Sequence, residues 1–440
     1  MLPDDAGEVH KDSGRRRIFY GWWIVVVSLV VLMFHAGAAF YSFSRFLPTL
    51  IEAFGSTTTA IAGVASTYML VAGLASPLIG KLTARYSPRV VLVAGAILGG
   101  GGLMLLGASQ AVWQLYGLYV VVGIGMSAVG FVPVNVALSN WFVKRRGLAI
   151  GIANVGISLG AVLIAPLAGY LIAGFGWRLA YLGLGVLTMV CVIPLTSAVM
   201  RTRPEDKGLV ADGARAVAGE TGTTAGDNDR DQVRDRTGAD QEGWTLSMAV
   251  KSLGFWMLLA AFFLTGLVIA GVIQNEVNFL TIMGIPMTVA TFALGFTGGI
   301  GGLGKLVFGS LADRLSPRYT ALVCFSLQLV GVVILLMTHS ATMVWVFVFV
   351  YGFAMGGNVT MQPLLTAQLY GTSSFGAIFG WMALAGAVGS ALGPVIGGAI
   401  YDLSGSYSTA FIVFVAVYAM SIVALLLARK PRLAGKKTEA

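Results

Sequence analysis

Long apolar runs recur along the whole chain, each near or above the roughly 20 residues that a helix needs to cross a bilayer core. Hydrophobic residues make up 57% of the 440 positions and charged residues only 11%, a balance far from that of soluble domains. The first run is longer than a typical signal-peptide core, so we interpret it as a retained span. The sequence therefore predicts an all-α membrane protein with twelve transmembrane helices, at about 18–44, 58–80, 90–108, 112–140, 147–173, 177–199, 253–279, 287–311, 319–338, 342–370, 375–402 and 407–428.

Lysine and arginine placement predicts the orientation of these helices. With the N-terminus inside the cell, nearly all of the 28 Lys and Arg residues fall in cytoplasmic connections or tails. The exceptions are Arg45 and Arg178 near outer loops, and Lys305 within a span. The positive-inside rule thus predicts a multi-pass protein of the plasma or inner membrane with both termini in the cytoplasm. Because the basic residues do not share one amphipathic face, the net charge of +9 does not indicate nucleic-acid binding.

An internal repeat divides the chain into two similar halves. The decapeptide GKLTARYSPR, which begins at Gly80 after span 2, matches GSLADRLSPR, which begins 229 residues later at Gly309 after span 8. Pro166 and Gly169 of the fifth span also recur, 228 residues later, in the eleventh. A six-span unit has therefore been duplicated.

The longest polar segment, 201–243, separates the two halves. It has many charges and no apolar periodicity, so we expect a disordered tether, with a regulatory or partner-binding role as the alternative. The predicted organisation is a cytoplasmic tail at 1–17, a six-helix bundle at 18–200, a cytoplasmic linker at 201–250, a second six-helix bundle at 251–428 and a cytoplasmic tail at 429–440.

Enzyme chemistry has no counterpart among the sequence motifs. No Ser/His/Asp arrangement, metal-ligand spacing or phosphate loop is evident, so the sequence predicts neither an enzyme nor a cofactor. Cys191 and Cys324 both lie in apolar runs and are expected to be small buried side chains rather than a disulfide.

The twelve spans, the long central loop and the paired decapeptides together resemble the major facilitator superfamily. This resemblance covers about residues 18–428 and implies two six-helix bundles that move a solute by alternating access. In that family the decapeptide glycine permits close helix packing, and its acidic residue and arginines form a gate. Ala84 stands where the first copy would carry its acidic residue, which implies a weaker gate in the amino-terminal half. The matching gate residues here are Asp313, Arg314, Arg318, Arg85 and Arg89.

A narrower resemblance is to the bacterial monocarboxylate transporter and oxalate/formate antiporter branch. It is carried by YGWW at 20–23, WFVKRRGLAIG at 141–151 and FGAIFG at 375–380. Transporters of this branch carry a cation in span 8, usually arginine, four residues before the decapeptide glycine, and it is implicated in binding the substrate carboxylate. Lys305 has that spacing from Gly309, so the resemblance implies a small organic anion, a monocarboxylate above all, as the substrate.

Lys305 is the first functional candidate on physical grounds as well. A lysine at the centre of a spanning helix costs about 2.5–3.5 kcal/mol on an insertion scale, so it normally faces a wet cavity or a partner. Lysine pairs with a carboxylate as a point charge, without the two-pronged geometry of arginine. The alternative is a structural role, in which Lys305 snorkels to the cytoplasmic end of span 8 or joins Asp313.

Amide and aromatic side chains in the spans could complete a substrate site. Asn358 and Gln362 lie four residues apart, hence on one face of span 10, and Asn135 lies in span 4. Amides at such positions often bond between packed helices instead. Tyr41 and Phe131 are candidate walls of an anion pocket, with helix packing as the alternative.

Proton coupling needs a group that changes charge during the cycle, and Glu276 and His35 are the candidates. Burial would suit Glu276 to this role, but its place near the outer end of span 7 favours a solvated carboxylate at the rim. His35 could instead bond across helices. Tyr41 and Gly301 stand where animal monocarboxylate transporters have a span-1 lysine and a span-8 aspartate, which argues against their proton-transfer scheme here.

The predicted function is secondary active transport of a small organic anion by alternating access, with or without protons, by a monomer in the lipid bilayer. Two alternatives stay open. One is a drug or metabolite exporter of the same fold, in which Lys305 is structural. The other is a membrane sensor or scaffold that recruits a partner through 201–243.

Overall fold

The structure, a computed structural model, describes residues 19–212 and 244–429. Within those ranges it is helical, and its β pairing is limited to one isolated bridge between Phe142 and Asp212. The prediction of an all-α fold with twelve spans is confirmed. The spans are α1 (Gly21–Phe54), α2 (Thr58–Tyr86), α3 (Pro88–Leu106), α4 (Val112–Trp141), α5 (146–175), α6 (177–199), α7 (Leu253–Ile282), α8 (Met287–Arg314), α9 (Pro317–Leu336), α10 (Ala341–Tyr370), α11 (Phe375–Ser404) and α12 (Tyr407–Leu427).

Helices α5 and α6 follow each other without a loop. Together they form one stretch of 54 residues, which at about 1.5 Å per residue is far longer than a bilayer core is thick. Gly176 divides this stretch, because its φ of 79° and ψ of 163° lie outside the helical region. Glycine adopts that conformation at no steric cost, so the chain can turn back there and span the membrane twice.

Irregular turns interrupt several of the long helices near their middle. Single π turns occupy Ala36–Tyr41 in α1, Gly160–Ile164 in α5 and Val348–Gly352 in α10. Helix α4 breaks at Gly130, whose φ of −95° and ψ of −145° are not helical. Each irregular turn changes which side chains face the neighbouring helices downstream, and such turns are frequent at functional sites.

Short-range signals fix where the helices begin. The hydroxyls of Thr57, Ser252 and Ser316 each accept the backbone N–H three residues further on, which caps α2, α7 and α9. Pro88 and Pro317, the equivalent prolines of the two decapeptides, occupy the first turns of α3 and α9, where a missing N–H is tolerated.

The two halves meet through α2 against α11 and α5 against α8. A Cβ atom built on Gly80 would collide with the carbonyl of Gly376, and one built on Gly309 would collide with the carbonyl of Gly147. Gly80 and Gly309 open the two decapeptides, so the close packing that the resemblance implied is present in both copies. We call the end of the bundle that carries these glycines the linker side, because residue 201 follows α6 there, and the opposite end the far side.

Replacing Gly309 with alanine should force α5 and α8 apart at the linker side. The added methyl meets a backbone carbonyl that cannot rotate away, and overpacking of this kind costs about 1–3 kcal/mol. The matched control is Gly298→Ala on the same helix, where a Cβ atom would meet nothing within 4 Å. We expect Gly309→Ala to lower the midpoint of thermal unfolding in detergent and Gly298→Ala to leave it unchanged or raise it. Equal midpoints for the two variants would contradict the contact.

Candidate transport site

A cavity of about 400 Å³ lies between the two halves at mid-depth. It is closed toward the linker side by the α2–α11 and α5–α8 contacts. Five of the residues predicted from the sequence share its wall, which draws on α1, α2, α4 and α5 from one half and on α7, α10 and α11 from the other. These five are His35, Tyr41, Phe131, Asn358 and Gln362.

The irregular turns place several of these side chains. His35 ends the regular part of α1 and Tyr41 ends its π turn, while Phe131 directly follows the break at Gly130 in α4. The His35 ring is fixed across the two helices, since its Nδ1 lies 2.8 Å from the Met126 carbonyl oxygen. A strictly regular α1 and α4 would not present this set of side chains to one space.

Uncharged polar groups and aromatic rings dominate the cavity wall. None of its described residues is Lys, Arg, Asp or Glu. Gln362 donates from Nε2 to the Met382 carbonyl at 2.8 Å, which leaves its carbonyl oxygen available. Asn358 has an Nδ2 group without a hydrogen-bond partner in the described ranges, although the residue is only 9% exposed. An unpaired amide donor at a cavity wall is suited to an oxygen of a bound solute.

Lys305 lies just outside this wall, between α8 and α5. Its side chain is 6% exposed, and Nζ donates to the Ser158 hydroxyl oxygen at 2.8 Å. Ser158 directly follows Ile157, which does line the cavity. Because Gly302 also packs near Ser158, the lysine extends from its backbone toward the far side and away from Asp313. The snorkelling alternative does not describe this structure, which leaves a buried cation one residue behind the cavity.

Asn135 and Glu276 lie outside the cavity wall. Asn135 is fully buried in α4 and donates from Nδ2 to the Phe131 carbonyl oxygen of its own helix at 2.7 Å. Glu276 is also 0% exposed, inside the carboxy-terminal half. The expectation of a solvated Glu276 at the rim is therefore wrong. The helix phase decides this, since Glu276 shares the buried face of α7 with Val272, Phe279 and Leu280.

The linker side holds one hydrogen-bonded lock between the halves. The carboxylate of Asp313, in the last turn of α8, accepts the Gly147 N–H at 2.6 Å and the Leu148 N–H at 2.8 Å. These are unsatisfied donors of the first turn of α5, and the helix dipole there favours a negative charge. The second lock, at the start of α11, has only the glycine contact, since Ala84 offers no carboxylate and Ser374 makes no side-chain cap.

The predicted gate arginines make no comparable bridge. Arg318 donates from Nη2 to the Leu426 carbonyl oxygen at 2.6 Å, within its own half. Arg85 lies over the ring of Tyr86, with 5.3 Å from its Cζ to the ring centroid, and Arg314 is exposed. Arg89 is half-buried in the first turn of α3. Asp313 is thus the member of the predicted gate that bonds across the halves.

Comparison with known proteins agrees with this architecture. The sequence pattern of the Major Facilitator Superfamily matches residues 29–393 and again 284–440. This chain belongs to that superfamily. Human monocarboxylate transporter 12 is 26% identical over 404 residues, covering 89% of this chain and 77% of the relative. Bovine monocarboxylate transporter 13 is 24% identical over 401 residues, covering 89% and 86%. The superfamily and these relatives are transporters, so the protein is not an enzyme.

Solved structures of superfamily members share the fold. The human organic anion transporter MFSD10 superposes with a TM-score of 0.70 at 14% identity, covering 92% of this chain and 99% of that one. FucP in the outward conformation gives a TM-score of 0.71 at 12% identity, covering 94% and 100%. At such identities the likeness concerns the fold alone.

Two features of this superfamily member were not anticipated from its sequence. Tyr68, Ser76, Ser127 and Ser390 line the cavity, but residues of these types within apolar runs give no signal that separates them from packing positions. The start of the linker is also ordered, contrary to the expected disorder, whereas 213–243 lie outside the described residues.

The ordered start of the linker, 201–212, pairs by its backbone with the loop between α4 and α5. Trp141 donates from Nε1 to the Arg201 carbonyl oxygen at 2.9 Å, and its own carbonyl accepts the Asp212 N–H at 3.2 Å. The Asp212 carboxylate accepts the Arg145 N–H at 3.1 Å. Backbone pairing of this kind leaves no periodic pattern of side chains, which is why the sequence does not reveal it.

Removing the carboxylate of Asp313 should loosen the linker side. A capping residue contributes about 1 kcal/mol, so Asp313→Ala should shift the balance between closed and open linker sides by roughly five-fold. Spin labels at Val143 and Leu315, both exposed at the linker side of opposite halves, would report longer distances in pulsed electron resonance. Asp402→Ala, which removes an exposed carboxylate at the far end of α11, is the control. Unchanged distances in Asp313→Ala would show that this contact does not hold the gate.

Proposed function

We propose that this protein is a secondary active transporter of a small organic anion, in the first place a monocarboxylate, and that it works by alternating access. The observation that carries the proposal is Lys305, a buried cation beside the cavity with no carboxylate partner in the described ranges. Burying an unpaired cation is costly, and an anionic solute would supply the missing charge. The monocarboxylate transporters among the relatives of this chain support the same substrate class.

The binding step would move Lys305 from Ser158 toward the cavity. The Nζ–Oγ contact joins a charge to a neutral hydroxyl, and hydrogen bonds to ionised partners are roughly twice as strong as neutral ones. A carboxylate in the cavity would therefore compete well for the ammonium group. Asn358 and Gln362 would hold further oxygens of the anion, while Tyr41 and Phe131 would enclose its carbon skeleton.

Rocking of the two halves would then expose the site on the other side. The structure corresponds in this proposal to the state closed at the linker side, with Asp313 capping α5 and glycine contacts on both helix pairs. Arg314, Arg318, Arg85 and Arg89 would join the gate in other states. We assign the linker side to the cytoplasm of the plasma or inner membrane, because the decapeptides and most Lys and Arg residues lie there.

Proton coupling is the finer part of the proposal. His35 in the cavity wall and Glu276 in the carboxy-terminal half are the candidate groups that could gain and lose a proton. The protein would act as a monomer without a cofactor.

Uptake into proteoliposomes tests the proposal directly. Labelled lactate, pyruvate, oxalate and an aromatic acid would be offered to purified protein, with and without an inward proton gradient. We expect saturable uptake of at least one of these anions, and stimulation by the gradient if protons are coupled. Absence of uptake of every acid, in vesicles that contain folded protein, would refute the proposal.

Replacing Lys305 with glutamine should abolish that uptake, because the buried counter-charge for the anion is lost. Loss of a hydrogen bond to a charged group costs about 1.5–3 kcal/mol, so uptake should fall by at least roughly ten-fold. Lys305→Arg should retain part of the activity, and Lys251→Gln, which removes an exposed lysine, should retain all of it. Elution of each variant as a single species in detergent would show that it is folded. Normal uptake by Lys305→Gln would remove Lys305 from the mechanism.

An exporter of drugs or metabolites is the second candidate function. The specific observation in its favour is the cavity wall, which is aromatic and free of charged side chains in its described part. In this case bulky neutral compounds would compete for the site, and Lys305→Gln would leave transport intact.

A further inference from the structure

A buried polar cluster lies in the carboxy-terminal half, apart from the cavity. Neither carboxylate oxygen of Glu276 has a hydrogen-bond partner within the described ranges, and the residue is 0% exposed. The Tyr351 hydroxyl of α10 lies within electrostatic range of this carboxyl group and 3.5 Å from the Tyr418 hydroxyl of α12. Gln328 of α9 is equally buried, with both amide atoms unpaired in the same ranges. We call Glu276, Tyr351, Tyr418 and Gln328 the acid cluster.

The packing of α9 on α10 brings these groups to one region. A Cβ atom on Gly331 would lie 2.7 Å from the Cβ atom of Tyr351, so the two helices touch at this point. Gln328 lies one turn before Gly331 on the same face of α9. Tyr418 is buried in the same apolar cluster as Val332 and Tyr351. The acid cluster is therefore a set of polar groups inside an otherwise apolar core.

The internal repeat shows that this polarity belongs to one half only. Gly102 packs on Val122 in the amino-terminal half as Gly331 packs on Tyr351, so the displacement of 229 residues also relates the two halves in space. The amino-terminal half has apolar residues or glycine at the positions that correspond to the acid cluster: Leu47 for Glu276, Val122 for Tyr351, Met189 for Tyr418 and Gly99 for Gln328. An apolar solution exists for this packing, so stability of the fold does not require the acid.

A carboxyl group in such a place carries a proton. Burying an ionised carboxylate without a partner costs far more than burying the neutral acid, which needs only hydrogen bonds. The groups around Glu276 supply no compensating cation. Tyr351 and Tyr418 face it, and Cys324 of α9 interacts with Tyr418. Lys305 bonds to Ser158 in the other half, and the remaining charged residues of α8–α12 lie at helix ends: Asp313, Arg314, Arg318 and Asp402.

We propose that Glu276 is the proton-binding site of this transporter and that the acid cluster holds the proton while the two halves rock. This inference rests on the function proposed above. The step is a simple proton transfer: a carboxylate oxygen of Glu276 forms an O–H bond with a proton from water on one side, and that bond breaks again when water reaches the site from the other side. His35 is less suited to this role, since its ring is already fixed on the Met126 carbonyl.

Infrared spectroscopy of the protein in lipid tests the proton site without any transport measurement. We expect the carbonyl stretching band of a protonated carboxyl group at neutral pH, and its loss in Glu276→Gln. Glu52→Gln removes an exposed carboxyl group near the far end of α1 and should keep the band. Absence of the band from the wild-type protein, or its persistence in Glu276→Gln, would overturn the proposal.

Transport measurements give the second test. Glutamine imitates the protonated acid, so Glu276→Gln should lose all stimulation of anion uptake by a proton gradient yet still exchange internal for external anion. Glu52→Gln should keep both activities. Gradient-driven uptake by Glu276→Gln, or loss of exchange together with coupling, would overturn the assignment. A wild-type protein that moves no anion would refute the proposed function alone, and the infrared band would still decide whether Glu276 holds a proton.

Discussion

Close backbone contact between the halves at the linker side is the constraint on which the other features depend. Glycines at the starts of the two decapeptides let α2 touch α11 and α5 touch α8, so that carbonyl groups meet where side chains would normally separate two helices. These contacts close one end of the space between the halves and leave the cavity at mid-depth. They also bring α8 near enough to α5 for Lys305 to reach Ser158 across the interface.

The polar groups inside the bundle follow a simple division. The cavity wall offers uncharged hydrogen-bonding groups and rings, while the two buried ionisable groups, Lys305 and Glu276, lie behind it on different helices. A wall without fixed charges does not bind water or ions so strongly that a solute cannot displace them. A buried charge next to that wall can still act on a solute, because electrostatic interactions are stronger in an apolar surrounding. Binding and coupling can thereby use separate sites within one moving unit.

Much of this architecture follows from the sequence, since span length, the paired decapeptides and the lysine placement in a span are properties of single segments. His35, Tyr41, Phe131, Asn358 and Gln362 were predicted as site residues, and the structure brings all five to one cavity. The exposure of Glu276 could not be predicted from its position near a helix end, because burial depends on the rotation of α7 against its neighbours. The ordered residues 201–212 escaped prediction because main-chain pairing does not depend on residue type.

The two halves differ where the repeat would lead one to expect symmetry. At the linker side, the α5–α8 contact has both glycine packing and the Asp313 cap, whereas the α2–α11 contact has glycine packing only. In the interior, the carboxy-terminal half carries the acid cluster and the amino-terminal half carries apolar residues at the corresponding positions. Both asymmetries assign the charged group to the carboxy-terminal half. In the proposed cycle that half would respond to solute and proton, and the amino-terminal half would serve as the packing surface against which it moves.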